Sequence, residues 1–132
     1  MKMTTKWQQA LKFTATSEKG YQIEMDGDGD APSPLELILA SMGGCSSIDV
    51  VLILRKKRQT ISRCRCEIEA ERADAVPAVF TKIHARYFIK GEDISETAVA
   101  RACELSIEKY CSVALMLNKS VDISYSYEIE QD

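Results

Sequence analysis

The chain has 132 residues and a formal net charge of −3, with acidic and basic residues mixed throughout. That length fits a single domain, residues 1–132, able to bury most of its apolar surface but small enough to gain from a shared dimer core. The balanced charge argues against a nucleic-acid groove or a basic membrane patch.

The opening Met1-Lys2-Met3-Thr4-Thr5-Lys6-Trp7 runs into polar sequence and does not read as a secretory leader. Leu11, Phe13 and Ala15 then share one face, and Tyr21, Ile23 and Met25 resume the alternation after Ser17-Glu18-Lys19-Gly20. This predicts a hairpin with a glycine-containing turn. Asp26 to Pro34 is a loop by its glycines, prolines and aspartates. Asp26, Asp28 and Asp30 alternate as in a calcium loop, but the flanking helices and the late glutamate of that motif are missing.

Pro34 suits the first turn of a helix. The segment from Pro34 to Arg58 would be about 36 Å long at 1.5 Å per residue. It is apolar nearly all round, which predicts a buried central helix. Glu36, Asp49 and two glycines argue against a membrane span. Arg55 to Arg58 close the helix with charge that suits its dipole.

From Arg63 to Arg72 the alternation is strict, with Cys64, Cys66, Ile68 and Ala70 on one face. Ile83, Ala85, Tyr87 and Ile89 mark a second strand, and acidic residues opposite basic ones favour antiparallel pairing. Asp93-Ile94-Ser95-Glu96 has the form of a capping box before a helix with Ala98, Val99, Ala102, Cys103 and Ser106 at helical spacing. A short helix or turn over 112–117 and a last alternating strand from Val121 follow. The order predicts an α+β domain with a largely antiparallel sheet.

The cysteines number five, at positions 45, 64, 66, 103 and 111. An odd count argues against a disulfide-stapled secreted domain and favours the reducing cytoplasm. Cys64, Cys66 and Cys103 lie on apolar faces and read as packing; Cys64-x-Cys66 has no further partners for a metal. His84 falls on the polar strand face, so a Cys45–His84 dyad is disfavoured, and a single histidine makes zinc catalysis improbable. Cys45, directly after Gly43-Gly44, and Cys111, after Glu108-Lys109-Tyr110, remain. Adjacent glycines in a helix suggest close approach to the backbone. Asp49, one turn beyond Cys45, would raise its pKa, so a reactive thiol there needs a cation from elsewhere. A redox pair and two buried structural cysteines both stay open on these grounds.

The run Pro34-Leu35-Glu36-Leu37-Ile38-Leu39-Ala40-Ser41-Met42-Gly43-Gly44-Cys45, followed by Ile48-Asp49-Val50, resembles the helix of the OsmC/Ohr family of thiol peroxidases. Glu108-Lys109-Tyr110-Cys111-Ser112-Val113 resembles that family's second-cysteine segment, and the element order matches over nearly the whole chain. The resemblance implies an intertwined homodimer with the long helices at its centre and active sites at the subunit interface. It implies that Cys45 is the peroxidatic thiolate and Cys111 the resolving cysteine. Organic hydroperoxides or hydrogen peroxide would be the substrates, a dithiol the reductant, and no metal or other cofactor is implied. Two positions depart from the family's pattern: Leu35 fills the catalytic-glutamate slot, with Glu36 one place late, and no arginine precedes Arg55. Lys19 is the candidate substitute for the arginine. The alternative from another class is a non-catalytic dimer that binds a small apolar ligand or thiol.

Overall fold

The computed structural model describes residues 1–131. The chain forms two compact units, one from Met1 to Leu39 and one starting at Ala40. The first unit is a three-stranded antiparallel meander: β1 (Met3–Gln9), β2 (Lys12–Ser17) and β3 (Gln22–Asp26), in that spatial order. The expected hairpin is β2–β3, with Phe13 opposite Met25 and Ala15 opposite Ile23. Its turn carries Gly20 at φ 90°, a conformation open to glycine. The added strand β1 was not foreseen. Its residues, mostly polar, are exposed along the whole length, so backbone pairing with β2 rather than a buried apolar face holds it. The aspartate loop folds on itself: the buried Asp26 carboxylate accepts from the N–H groups of Asp28 (2.9 Å) and Asp30 (3.2 Å).

The long helix α1 spans Pro34–Lys56. It opens with a reciprocal capping box, in which Ser33 N–H donates to the Glu36 carboxylate and Glu36 N–H to Ser33 Oγ, both at 3.1 Å. It stops two residues earlier than expected. Arg58 takes a left-handed φ of 58°, and Gln59 N–H reaches back to Leu54 O at 2.9 Å, a Schellman-type ending. By length and composition α1 could cross a membrane, with a mean hydropathy of 2.0 over 18 residues. It is nonetheless a core helix. Met42, Ser46, Val50 and Leu54, spaced four apart, are fully buried. Expected to be buried all round, α1 buries only this stripe within one chain; Ile48 and Leu52 are 62% and 51% exposed.

The second unit continues with β4 (Thr60–Arg72), β5 (Phe80–Glu92), α2 (Glu96–Leu105), a π-helical turn (Ser106–Tyr110), α3 (Ser112–Leu117) and β6 (Asp122–Gln131). β4 pairs antiparallel to β5, in register Cys64–Ile89, Cys66–Tyr87 and Ile68–Ala85. β6 runs parallel to β5, because three helical segments carry the chain back across the sheet. The strands therefore form two sheets rather than one, and three of the four described pairings are antiparallel. Ile83, Ala85, Tyr87 and Ile89 present a buried face to the helices. The opposite face is charged: Arg65 and Arg86 stack on Phe88, at 3.9 and 4.9 Å from the ring centre. Ser95, not Asp93, caps α2, accepting from Ala98 N–H at 3.2 Å.

Candidate thiol site

Cys45 lies half-buried near the middle of α1, and Cys111 is completely buried at the start of α3. Cys111 caps that helix: its backbone is extended and its Sγ accepts from Ala114 N–H at 3.4 Å. The chain reaches this position through the π-helical turn, closed by Cys111 N–H donating to Ser106 O at 2.7 Å. The two thiols are neighbours. Burial pushes the Cys111 pKa up to about 11, and the hydrogen bond and charge interaction with the Cys45 side chain push in the same direction. The cap bond from Ala114 works against burial and loses. Cys111 therefore holds its proton at neutral pH.

The glycines before Cys45 serve different ends. A Cβ on Gly43 would meet Ile68 Cδ1 at 3.2 Å, so its absence lets α1 sit close on β4. A Cβ on Gly44 would meet no described residue outside its own helix within 4 Å.

A set of buried hydroxyls ties together the elements that carry the pair, and the sequence did not announce it. Tyr87 Oη, fully buried on β5, donates to Ser46 Oγ at 2.6 Å; Ser46 Oγ donates in turn to Met42 O at 2.8 Å. Ser106 Oγ, also buried, faces two acceptors on α1: Ser46 O at 2.9 Å and Asp49 Oδ2 at 3.0 Å. Asp49, read from sequence as a neighbour of the Cys45 thiol, thus directs its carboxylate to Ser106. The sequence signal for this set was two serines, at 46 and 106, on otherwise apolar faces.

The remaining cysteines sit apart from this pair. Ser47 hydrogen-bonds the Cys64 and Cys66 side chains on β4, yet burial dominates and raises both, Cys66 to about 11. Burial pushes Cys103 up to about 12. His84 is on the outer sheet face, its ring nitrogens 2.7 and 2.8 Å from the hydroxyls of Ser124 and Ser126. Strand alternation puts it on the opposite side of the sheet from Tyr87 and the helices, which rules out a Cys45–His84 dyad within the chain. Glu36 is held in the α1 capping box, and Lys19 is exposed in the β2–β3 turn. A cavity of about 390 Å³ includes Ala114 and Ile107 in its lining but neither thiol of the pair. Among the described residues no group of three or more His, Cys, Asp or Glu side chains is arranged to hold a metal ion.

The sequence matches the family described as OsmC-like protein over residues 27–126. It is 50% identical to Protein YhfA of Escherichia coli strain K12 over 131 residues, 98% of each chain. The fold is similar to the crystal structure of a hypothetical protein from Aquifex aeolicus VF5, with a TM-score of 0.91 and 30% identity over 99% of this chain and 96% of that one. It is also similar to an organic hydroperoxide resistance protein OsmC from Legionella pneumophila, with a TM-score of 0.73 and 13% identity over 97% of both chains.

Proposed function

The chain belongs to the OsmC-like protein family, and from that premise we propose that it is a thiol-dependent peroxidase that reduces organic hydroperoxides, and hydrogen peroxide less readily, in defence against oxidative stress. The observation that carries the reading is the adjacency of Cys45 and Cys111, with Cys45 the less buried of the two. In the first step the Cys45 thiolate attacks the outer oxygen of the peroxide. The O–O bond breaks, Cys45 becomes a sulfenic acid, and the alkoxide leaves as the alcohol after taking a proton. In the second step the Cys111 sulfur attacks the sulfenic sulfur. The S–OH bond breaks, the Cys111 proton leaves with the hydroxide as water, and a Cys45–Cys111 disulfide remains. An external dithiol then restores both thiols by exchange. Sulfur carries the electrons throughout, so the scheme needs neither metal nor organic cofactor. The exposed aliphatics Ile48 and Leu52 on the helix that carries Cys45 favour an alkyl substituent, which gains about 25 cal/mol per Å² buried.

The same reading makes the working form an intertwined homodimer with α1 at its centre. The open apolar flank of α1, Ile48 and Leu52, supports this. The family match crosses the boundary between the two units, which supports one OsmC-like domain over 1–132. All five cysteines are free thiols, in keeping with the cytoplasm. A second reading, a non-catalytic dimer that binds a small apolar ligand or thiol, draws on Leu35 in the glutamate slot, the engagement of Glu36 by Ser33 and the lack of arginine before Arg55.

Titration with an alkyl hydroperoxide followed by mass spectrometry separates the two. One equivalent should yield an intrachain Cys45–Cys111 disulfide in the wild type. Cys111→Ser should stop at a Cys45 sulfenic acid, and Cys45→Ser should consume no peroxide. Neither linkage nor sulfenate in the wild type would sink the peroxidase reading.

A further inference from the structure

The π-helical turn that delivers Cys111 is tied to the Cys45 helix at one point. Ser106 opens the turn, and its backbone carbonyl accepts the Cys111 N–H at 2.7 Å. Its side chain does something else. Ser106 Oγ shares its proton between Ser46 O (2.9 Å) and Asp49 Oδ2 (3.0 Å), both on α1. Ser46 is the residue directly after Cys45, and Asp49 lies one helical turn beyond Cys45. One residue therefore holds Cys111 through its backbone and the Cys45 backbone segment through its hydroxyl. On the far side Tyr87 Oη bonds Ser46 Oγ at 2.6 Å, which anchors the same turn of α1 to β5. π-Turns are rare and concentrate at functional positions, so a tie from this one to the Cys45 helix bears on the thiol pair.

We infer that Ser106, with Asp49 as its acceptor, is a positioning residue that sets the distance and angle between the Cys45 and Cys111 sulfurs and so controls the disulfide-forming step. This rests on the proposed thiol pairing. Ser106 does not touch peroxide, and the first step, attack of Cys45 on the O–O bond, does not depend on it. The second step does. Attack on a sulfenic sulfur needs the incoming sulfur in line with the departing hydroxide, and misplacement by about an ångström costs on the order of 10²-fold. Disulfide geometry is similarly narrow.

The test uses the full chain as Ser106→Ala and Asp49→Ala. Rapid mixing with an alkyl hydroperoxide and dimedone trapping gives the rate of Cys45 sulfenate formation; mass-resolved quenching gives the rate of disulfide closure. Ser106→Ala should leave the first rate within twofold of wild type and slow closure at least tenfold, with dimedone-labelled Cys45 accumulating. Asp49→Ala, which leaves the Ser46 carbonyl as an acceptor, should slow closure about threefold. Equilibration of the Cys45–Cys111 pair against reduced and oxidised dithiothreitol requires no peroxide. There Ser106→Ala should lower the effective concentration of the pair at least tenfold. If the wild type ignores hydroperoxide, the peroxidase reading fails while this equilibrium still judges the positioning role. Folded variants whose closure rate or dithiol equilibrium matches the wild type would overturn the inference. Should Ser106→Ala not fold, Asp49→Ala decides alone, and an unchanged dithiol equilibrium in it overturns the inference.

Discussion

Among the described residues Tyr87 is the largest of the fully buried side chains, and its hydroxyl donates to Ser46 Oγ at 2.6 Å. Burial of the phenol is tolerable because that bond is short and leads on to Met42 O. Removing the hydroxyl leaves the ring packing intact but strips Ser46 of its donor. Tyr87→Phe should therefore cost about 1–2 kcal/mol, against about 3–5 kcal/mol for Tyr87→Ala. Urea denaturation of both would measure this, and a Tyr87→Phe variant as stable as wild type would show that the bond contributes nothing. Residue by residue, the sequence showed orientation better than partnership. Strand alternation placed Tyr87 on the inner face and His84 on the outer one, as the structure has them. The partner of Tyr87 lies 41 positions away, and no local pattern encodes a bond of that span. Cys45 and Cys111 stood out through their glycine and segment context. Ser106 was visible only as a position on the α2 stripe, because a hydroxyl that bridges two elements looks locally like any small residue.

At the level of elements, the termini of α1 divide into one optimised end and one strained end. The N-terminus has proline at its first position and a reciprocal Ser33–Glu36 box. The C-terminus puts arginine where the chain turns left-handed, at φ 58°. Glycine enters that region without a Cβ penalty, so Arg58→Gly should stabilise the fold by about 0.5–1 kcal/mol even though it removes a favourable charge near the helix end. Thermal or urea midpoints of the variant would check the sign, and a lower midpoint would mean that the Arg58 side chain outweighs its backbone strain. The same contrast explains which elements were legible. α1 was evident from its long apolar run and its end signals, and β4, β5 and α2 from their periodic patterns. β1 carries none, since every residue on it is exposed. The parallel direction of β6 against β5 was hidden as well, because alternation reports faces and not strand direction.

For the whole molecule, two consequences follow from how the thiols and α1 are buried. Cys66 and Cys111 are pushed up to about 11 and Cys103 to about 12 from an ordinary 9.0, chiefly by burial. The folded state thus keeps protons that the unfolded chain releases. The stabilisation is fully present below pH 9 and is lost as pH rises through 11 to 12. The urea midpoint should hold steady up to about pH 9 and decline beyond it; a flat or rising midpoint to pH 11 would contradict the assignment. The second consequence concerns Gly44. Outside its own helix no described residue lies within 4 Å of a Cβ built there, so packing among the described residues does not explain glycine at this helical position. Glycine inside a helix costs about 1 kcal/mol relative to alanine. Ile48 and Leu52 continue the open flank toward the C-terminus, at 62% and 51% exposure. Small residues beside exposed aliphatics suit the close approach of a second helix, as the homodimer reading requires. A bulky side chain at Gly44 should then leave the single chain folded but obstruct the partner. Gly44→Leu is expected to raise the dimer dissociation constant at least tenfold in sedimentation velocity at micromolar concentration, while circular dichroism stays native. A Gly44→Leu protein that dimerises as tightly as wild type would place the subunit contact on some other surface than this flank of α1.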